Sequence, residues 1–134
     1  MFHLFVIACA FIAGAFAQCP DYSNYSQEYH PPFAGRHNLS FQRPSPACRT
    51  FVSPLVESTL TRLQSVINDP DLYRLFENSY PNTLDTAVKW RGHAMNNSDE
   101  ELTFLITGDI NAMWLRDSVQ QMRSYLPLLQ QDAS

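Results

Sequence analysis

The chain has 134 residues, is 45% hydrophobic and 16% charged, and carries a formal net charge of −4. That length suffices for one modest domain at most, and the apolar share excludes a compositionally disordered chain. Eight scattered arginines and the single Lys89 in an acidic chain leave no electrostatic footprint for nucleic acid or an anionic membrane surface.

Residues 1–17, MFHLFVIACAFIAGAFA, contain no Asp, Glu, Lys or Arg and end on Ala15-Phe16-Ala17. A short apolar run closing on small residues at −3 and −1 is what signal peptidase requires, so a signal peptide cleaved before Gln18 is expected. The n-region has only His3 in place of the usual Lys or Arg. An uncleaved anchor is the alternative, but the apolar run of about 14 residues is short of the roughly 20 that span a bilayer. After cleavage there is no membrane segment, and the expected location is the secretory pathway or the outside of the cell.

Cleavage removes Cys9 and leaves Cys19 and Cys48. In an oxidising compartment an even pair is most simply a disulfide, although two separate thiols or pairing with other cysteines remain the alternatives. The bridge would close a loop of about 28 residues and restrain the unfolded chain by roughly 3–4 kcal/mol. Asn24, Asn38 and Asn96 begin N-x-S triplets in polar surroundings and are candidate glycosylation sites.

Residues 18–50 are rich in Pro, Tyr and Ser without periodicity and read as an extended leader or strap. Regular structure is expected from Ser53-Pro54, an N-cap followed by proline at the first helical position. Leu55, Val56, Leu60, Leu63, Val66 and Ile67 recur at helical spacing and predict a helix ending near Asn68. Asp69-Pro70 opens a second helix with Leu72, Leu75 and Phe76 inward, stopped by Pro81. Asn82–Trp90 reads as a short strand or extended segment, Arg91–Glu101 as a turn, and Leu102–Ile106 as a second strand. A third helix starting at Trp114 or Asp117 should bury Val119, Met122, Leu126 and Leu129, with Pro127 kinking or ending it. Residues 51–134 would then form the start of a larger domain.

Chemistry concentrates where the second strand breaks at Gly108. Asp109, Trp114, Arg116 and Asp117 follow within nine residues, and each head group would need its own partner if buried. An indole stacks on the C–H face of a pyranose, carboxylates accept from neighbouring hydroxyls, and a guanidinium supplies planar donors. Together they suit a neutral, polyhydroxylated ligand. The structural alternative is a buried pair of Arg116 with Asp109 or Asp117, with Asp117 capping the helix and Trp114 in the core. Asp85 could also reach a site from its segment. His30, His37 and His93 lack metal-site spacing, and no phosphate loop or nucleophile elbow occurs.

The stretch TGDINAMWLRDS (Thr107–Ser118), with Gln120 and Tyr125-Leu126-Pro127-Leu128, closely resembles the signature of glycoside hydrolase family 125, the metal-independent exo-α-1,6-mannosidases. RPSPACRTF (Arg43–Phe51), the Pro54–Ile67 helix and DPDLYRLFENSYPNTLDT (Asp69–Thr86) resemble the family's N-terminal region as well. Asn111 stands where many relatives carry proline. The resemblance implies a mainly α fold, here the N-terminal fragment of an (α/α)6 barrel with a small β-hairpin. It also implies inverting hydrolysis of a terminal mannose on a mannose-containing oligosaccharide or N-glycan, without a metal or other cofactor. Asp109, Trp114, Arg116 and Asp117 would line the sugar pocket, while both catalytic carboxylates of the family lie well beyond this signature. Twelve helices of about 11 residues need roughly 130 residues before any connection, and removal of the signal leaves 117. The expectation is therefore a truncated, inactive piece of a mannosidase. A secreted mannoside-binding or vestigial protein, and a disulfide-strapped helical interaction module, are the rival readings.

Overall fold

The computed structural model describes residues 19–22, 30–31 and 35–129. The expected signal peptide, the Asn24 triplet and residues 130–134 lie outside them. In chain order the described elements are a 3-10 turn (Pro46–Cys48), α1 (Pro54–Gln64), α2 (Pro70–Ser79), α3 (Asn82–Thr86), β1 (Val88–Ala94), β2 (Asn97–Leu105), α4 (Leu115–Arg123) and α5 (Leu126–Leu129). The architecture is thus mixed, five helices with one antiparallel hairpin.

Local chemistry explains where the first two helices start. Ser53 Oγ accepts from the Val56 amide at 3.4 Å, and Asp69 Oδ1 accepts from Asp71 and Leu72 at 2.9 and 3.1 Å. Each cap is followed by proline, whose missing N–H is no loss in a first turn. Helix α1 stops at Gln64 rather than near Asn68, because Ser65, Val66 and Ile67 turn back on the Arg62 and Leu63 carbonyls. Val56 and Leu60 of α1 join Leu84, Ala87, Val88, Leu105, Ile106, Tyr125 and Leu128 in one core. Phe76, Tyr80 and Tyr125 extend it as a row of rings, with centroids 4.9 and 5.4 Å apart.

Three expectations are corrected. Asn82–Thr86 is a helix, not a strand. One helical turn puts Leu84 into the core while its neighbour Asp85, also buried, meets Arg43. The strand begins only at Val88 and runs to Ala94, so Arg91–Glu101, expected as a turn, is mostly paired strand and only Met95-Asn96 turns. Second, α2 turns Leu72 and Leu75 to solvent. Its buried and half-buried side takes Asp71 and Asn78, which hold the strap: Asp71 accepts from the His37 amide, and Asn78 both accepts from the Gln42 amide at 2.9 Å and donates to the Ser40 carbonyl at 2.8 Å. Third, Val119, Met122, Leu126 and Leu129 are exposed, and the buried face of α4–α5 is Ser118, Tyr125 and Leu128. The helix breaks at Ser124-Tyr125, ahead of Pro127, whose ring would collide with the Arg123 carbonyl in a continuous helix.

The strap is anchored by charge. Arg43, nearly fully buried, donates to Asp85 through Nε at 2.7 Å and Nη2 at 3.1 Å. It also donates to Glu57 of α1 at 2.6 and 3.1 Å, and Arg49 reaches Glu57 at 3.2 Å. Burial pulls the Arg43 pKa down, but the hydrogen bonds it donates to Asp85 and Glu57, with the attraction of their charges, outweigh it and leave it raised. The Arg43 hydrogen bond in turn holds Glu57 below the usual carboxylate range, against the opposing effect of burial. Backbone pairing continues the strap along α3, with Thr50 and Phe51 amides on the Asp85 and Leu84 carbonyls at 2.9 and 2.8 Å.

Candidate functional site

The hairpin delivers the site. Val88 pairs with Leu105 and Trp90 with Phe104, a one-residue bulge that lets β1 re-aim its outer side chains. Its tip is Met95-Asn96, so the Asn96 triplet sits on an exposed turn, and Asn38 occupies another with φ +54°. At the far end Leu105 and Ile106 are buried, and the Ile106 amide donates to the Ala87 carbonyl at 2.9 Å. The chain then leaves the core through Gly108, whose φ of +129° is open to glycine and strained for other residues. The following loop is held by Thr107 Oγ1 donating to Ile110 O at 3.3 Å and by the Ala112 amide on the same carbonyl at 2.8 Å.

Two residues of α4 fasten this loop, and their part is not visible in the sequence pattern. Ser118, buried, donates through Oγ to the Leu105 carbonyl at 3.2 Å, and Gln121 Nε2 donates to the Thr107 carbonyl at 3.3 Å. A polar residue on the inner side of an amphipathic helix was the available signal; its partner was not.

Of the four residues singled out, Asp109 lines a cleft of about 490 Å³ with Asn111, Lys89 and Asp21, and the other three do not line it. Trp114 is the N-cap residue of α4, is 54% exposed and makes no side-chain cap. Arg116 and Asp117 approach to 3.7 Å with side chains 84% and 41% exposed, a surface pair of little energetic weight. None of the three braces the junction as a buried pair or a core ring would. Asp85, by contrast, is fully engaged by Arg43 and does not reach the loop. A second, apolar cleft of about 480 Å³ runs between the hairpin and α4, lined by Val88, Leu105, Met113, Leu115, Val119 and Met122. Cys19 and Cys48 form a disulfide with Cα atoms 5.3 Å apart. Among the described residues no three or more His, Cys, Asp or Glu side chains converge as a metal site requires, and no helix is long and apolar enough to cross a membrane.

Residues 69–134 match the family model for metal-independent alpha-mannosidase (GH125). Over these residues the chain is similar to the GH125 family. The match takes in α2, α3, the hairpin, the Gly108 loop and the described C-terminal helices. The chain is also similar to the meiotically up-regulated gene 157 protein of Schizosaccharomyces pombe, 48% identical over 115 residues. That alignment covers 86% of this chain and 22% of the relative, so the chain spans about a fifth of the relative's length. It therefore reaches beyond the GH125 stretch into part of the strap and α1.

Proposed function

We propose that this chain is the N-terminal portion of a secreted, inverting exo-α-1,6-mannosidase built on an (α/α)6 barrel. Asp109, Trp114, Arg116 and Asp117 hold the terminal mannose of an oligosaccharide or N-glycan. The observation that carries this reading is the position of the last three: within a GH125 signature Trp114 and Arg116 stand exposed at the start of α4, Trp114 makes no side-chain cap, and Asp117, half-buried, is paired only loosely with Arg116 at 3.7 Å. Surface side chains with so little structural duty are available to a ligand. Trp114 offers the stacking face, Asp109 and Asp117 accept from hydroxyls, and Arg116 donates.

Inversion needs an acid and a base carboxyl roughly 6.5–9.5 Å apart across the bond. In this reading both come from outside the 134 residues, and this polypeptide contributes the substrate-holding edge only. The exposed apolar faces of α2 and of α4–α5 support the same view, since helices of a barrel bury such faces against their neighbours. Export follows the signal sequence of residues 1–17, with glycans on Asn24, Asn38 and Asn96.

Mannose release from α-1,6-mannobiose tests the proposal. The 134-residue polypeptide should release none. A full-length protein should release mannose, and Trp114→Ala or Asp117→Asn in it should lower turnover at least a hundredfold while the fold persists. Binding of mannobiose without turnover in the full-length protein would instead make it a lectin-like, non-catalytic relative. N-terminal sequencing from a secreting host should begin at Gln18.

A further inference from the structure

The Gly108 loop has a fixed shape and a free hinge. Its shape comes from its own bonds, the Thr107 hydroxyl and the Ala112 amide both donating to the Ile110 carbonyl, at 3.3 and 2.8 Å. Its direction is decided at Gly108, which has φ +129° and no atom within 4 Å of the place a Cβ would take. No neighbour crowds that glycine, and glycine tolerates many directions. The aim of the loop must therefore come from a bond beside the hinge.

That bond comes from α4. Gln121 Nε2 donates to the Thr107 carbonyl at 3.3 Å, and this carbonyl belongs to the rigid peptide plane that joins Thr107 to Gly108. Holding it fixes the plane from which the loop departs. The other tie, Ser118 Oγ to the Leu105 carbonyl, lies ahead of the hinge and leaves the loop's direction open. One turn earlier than Gln121 on α4 stands Asp117, at the spacing that places two residues side by side on a helix. Both are half-buried. A single side chain thus ties the loop that carries Asp109 to the helix face that carries Asp117. The amide is there at a cost, because its Oε1 is buried with no hydrogen-bond partner among the described residues, and an orphaned buried acceptor destabilises a fold. A hydrocarbon side chain would avoid that loss. What the amide supplies instead is its Nε2 donor.

We propose that Gln121 is a positioning residue for sugar binding, setting through the Thr107 carbonyl where Asp109 stands relative to Asp117. The inference rests on the mannoside reading above, in which both carboxylates accept from hydroxyls of one terminal mannose. Two acceptors on one rigid ring must keep their spacing. A loop that swings at Gly108 loses the contact made by Asp109 while Asp117 keeps its own.

The test is a double-variant cycle on mannose release from α-1,6-mannobiose by the full-length protein. Gln121→Met should raise KM about fivefold with kcat little changed, because binding to substrate and transition state is lost alike. Asp109→Ala should raise KM at least as much, and adding Gln121→Met to it should bring no further rise, since Gln121 acts through Asp109. Gln121→Glu should match Gln121→Met at neutral pH, where a carboxylate cannot donate. It should recover the KM that the wild type shows at the same pH once acid protonates it. An unchanged KM in Gln121→Met, or effects that add in the double variant, overturns the proposal. If Gln121→Met does not fold, the acid recovery of Gln121→Glu decides, and its absence overturns the proposal. A wild-type protein that releases no mannose overturns the mannoside reading and this assignment together. Wild-type release with an unaffected Gln121→Met overturns the assignment alone.

Discussion

Removing the Arg43 guanidinium should be the most damaging single polar change in the described chain. Arg43 and Asp85 have side chains 5% and 3% exposed, and four hydrogen bonds leave that guanidinium for Asp85 and Glu57. In Arg43→Met the Asp85 carboxylate stays buried, with Arg49 Nε no nearer than 3.7 Å. Breaking a buried pair from one side costs about 3–5 kcal/mol. The Glu57 half adds little, because that carboxylate is 35% exposed and solvent screens it. Against a total stability of about 5–15 kcal/mol for a small domain, the variant should unfold at a much lower urea midpoint. Arg43→Met/Asp85→Leu should recover most of the loss, since an apolar pair of similar size carries no desolvation penalty. Urea denaturation followed by circular dichroism gives both numbers. A loss under about 1 kcal/mol, or a double variant no better than the single one, would refute the assignment of this pair as the strap's anchor.

Acid should act on the same network. Glu57 is held below the usual carboxylate range, so its contribution is present above that range and lost as pH falls through the lowered value. Arg43→Met should flatten this acid limb in a melting-temperature series. At the other extreme, burial pushes Tyr125 up to about 12. A raised tyrosine stabilises fully below its unfolded value near 10 and loses that contribution as pH rises through about 12. Tyr125→Phe should lessen the alkaline decline while lowering neutral stability by about 1–3 kcal/mol, because the Tyr80 carbonyl loses its donor at 2.5 Å. Gly108→Ala meets no atom within 4 Å, so its cost is conformational alone, about 1–3 kcal/mol for φ +129°. A neutral result in thermal denaturation would mean that the loop relaxes to negative φ. Trp114→Ala, at an exposed position, should shift stability by no more than about 0.5 kcal/mol, and a larger loss would return the indole to a structural role.

Helix starts, the hairpin and the chemistry of the Gly108 loop were legible from the chain because each depends on neighbours in sequence. Ser53-Pro54 and Asp69-Pro70 satisfy their own first-turn amides, and the break at Gly108 needs only a residue without a Cβ. Facing was less legible. Leu72 and Val119 sit on apolar stripes that predicted burial, yet both are exposed. An apolar stripe says that a face wants covering, and it does not say which segment covers it.

The candidate site divides in the same way. Asp109, Trp114, Arg116 and Asp117 could be picked out because their head groups are costly in a core and their types suit a hydroxylated ligand. That Asp109 shares a cleft with Lys89 and the Cys48-tethered Pro20–Tyr22, apart from the other three, is a product of folding. So are the Arg43–Asp85 anchor across 42 residues of chain and the turn of Asn82–Thr86 into helix rather than strand. By itself the sequence determined the capping, the hairpin and the chemistry on offer, since local hydrogen bonding and residue type suffice for those. Tertiary structure alone decided which charges are buried against each other and which loop meets which strap. Those outcomes depend on desolvation and distance between residues far apart in the chain, which no local pattern encodes.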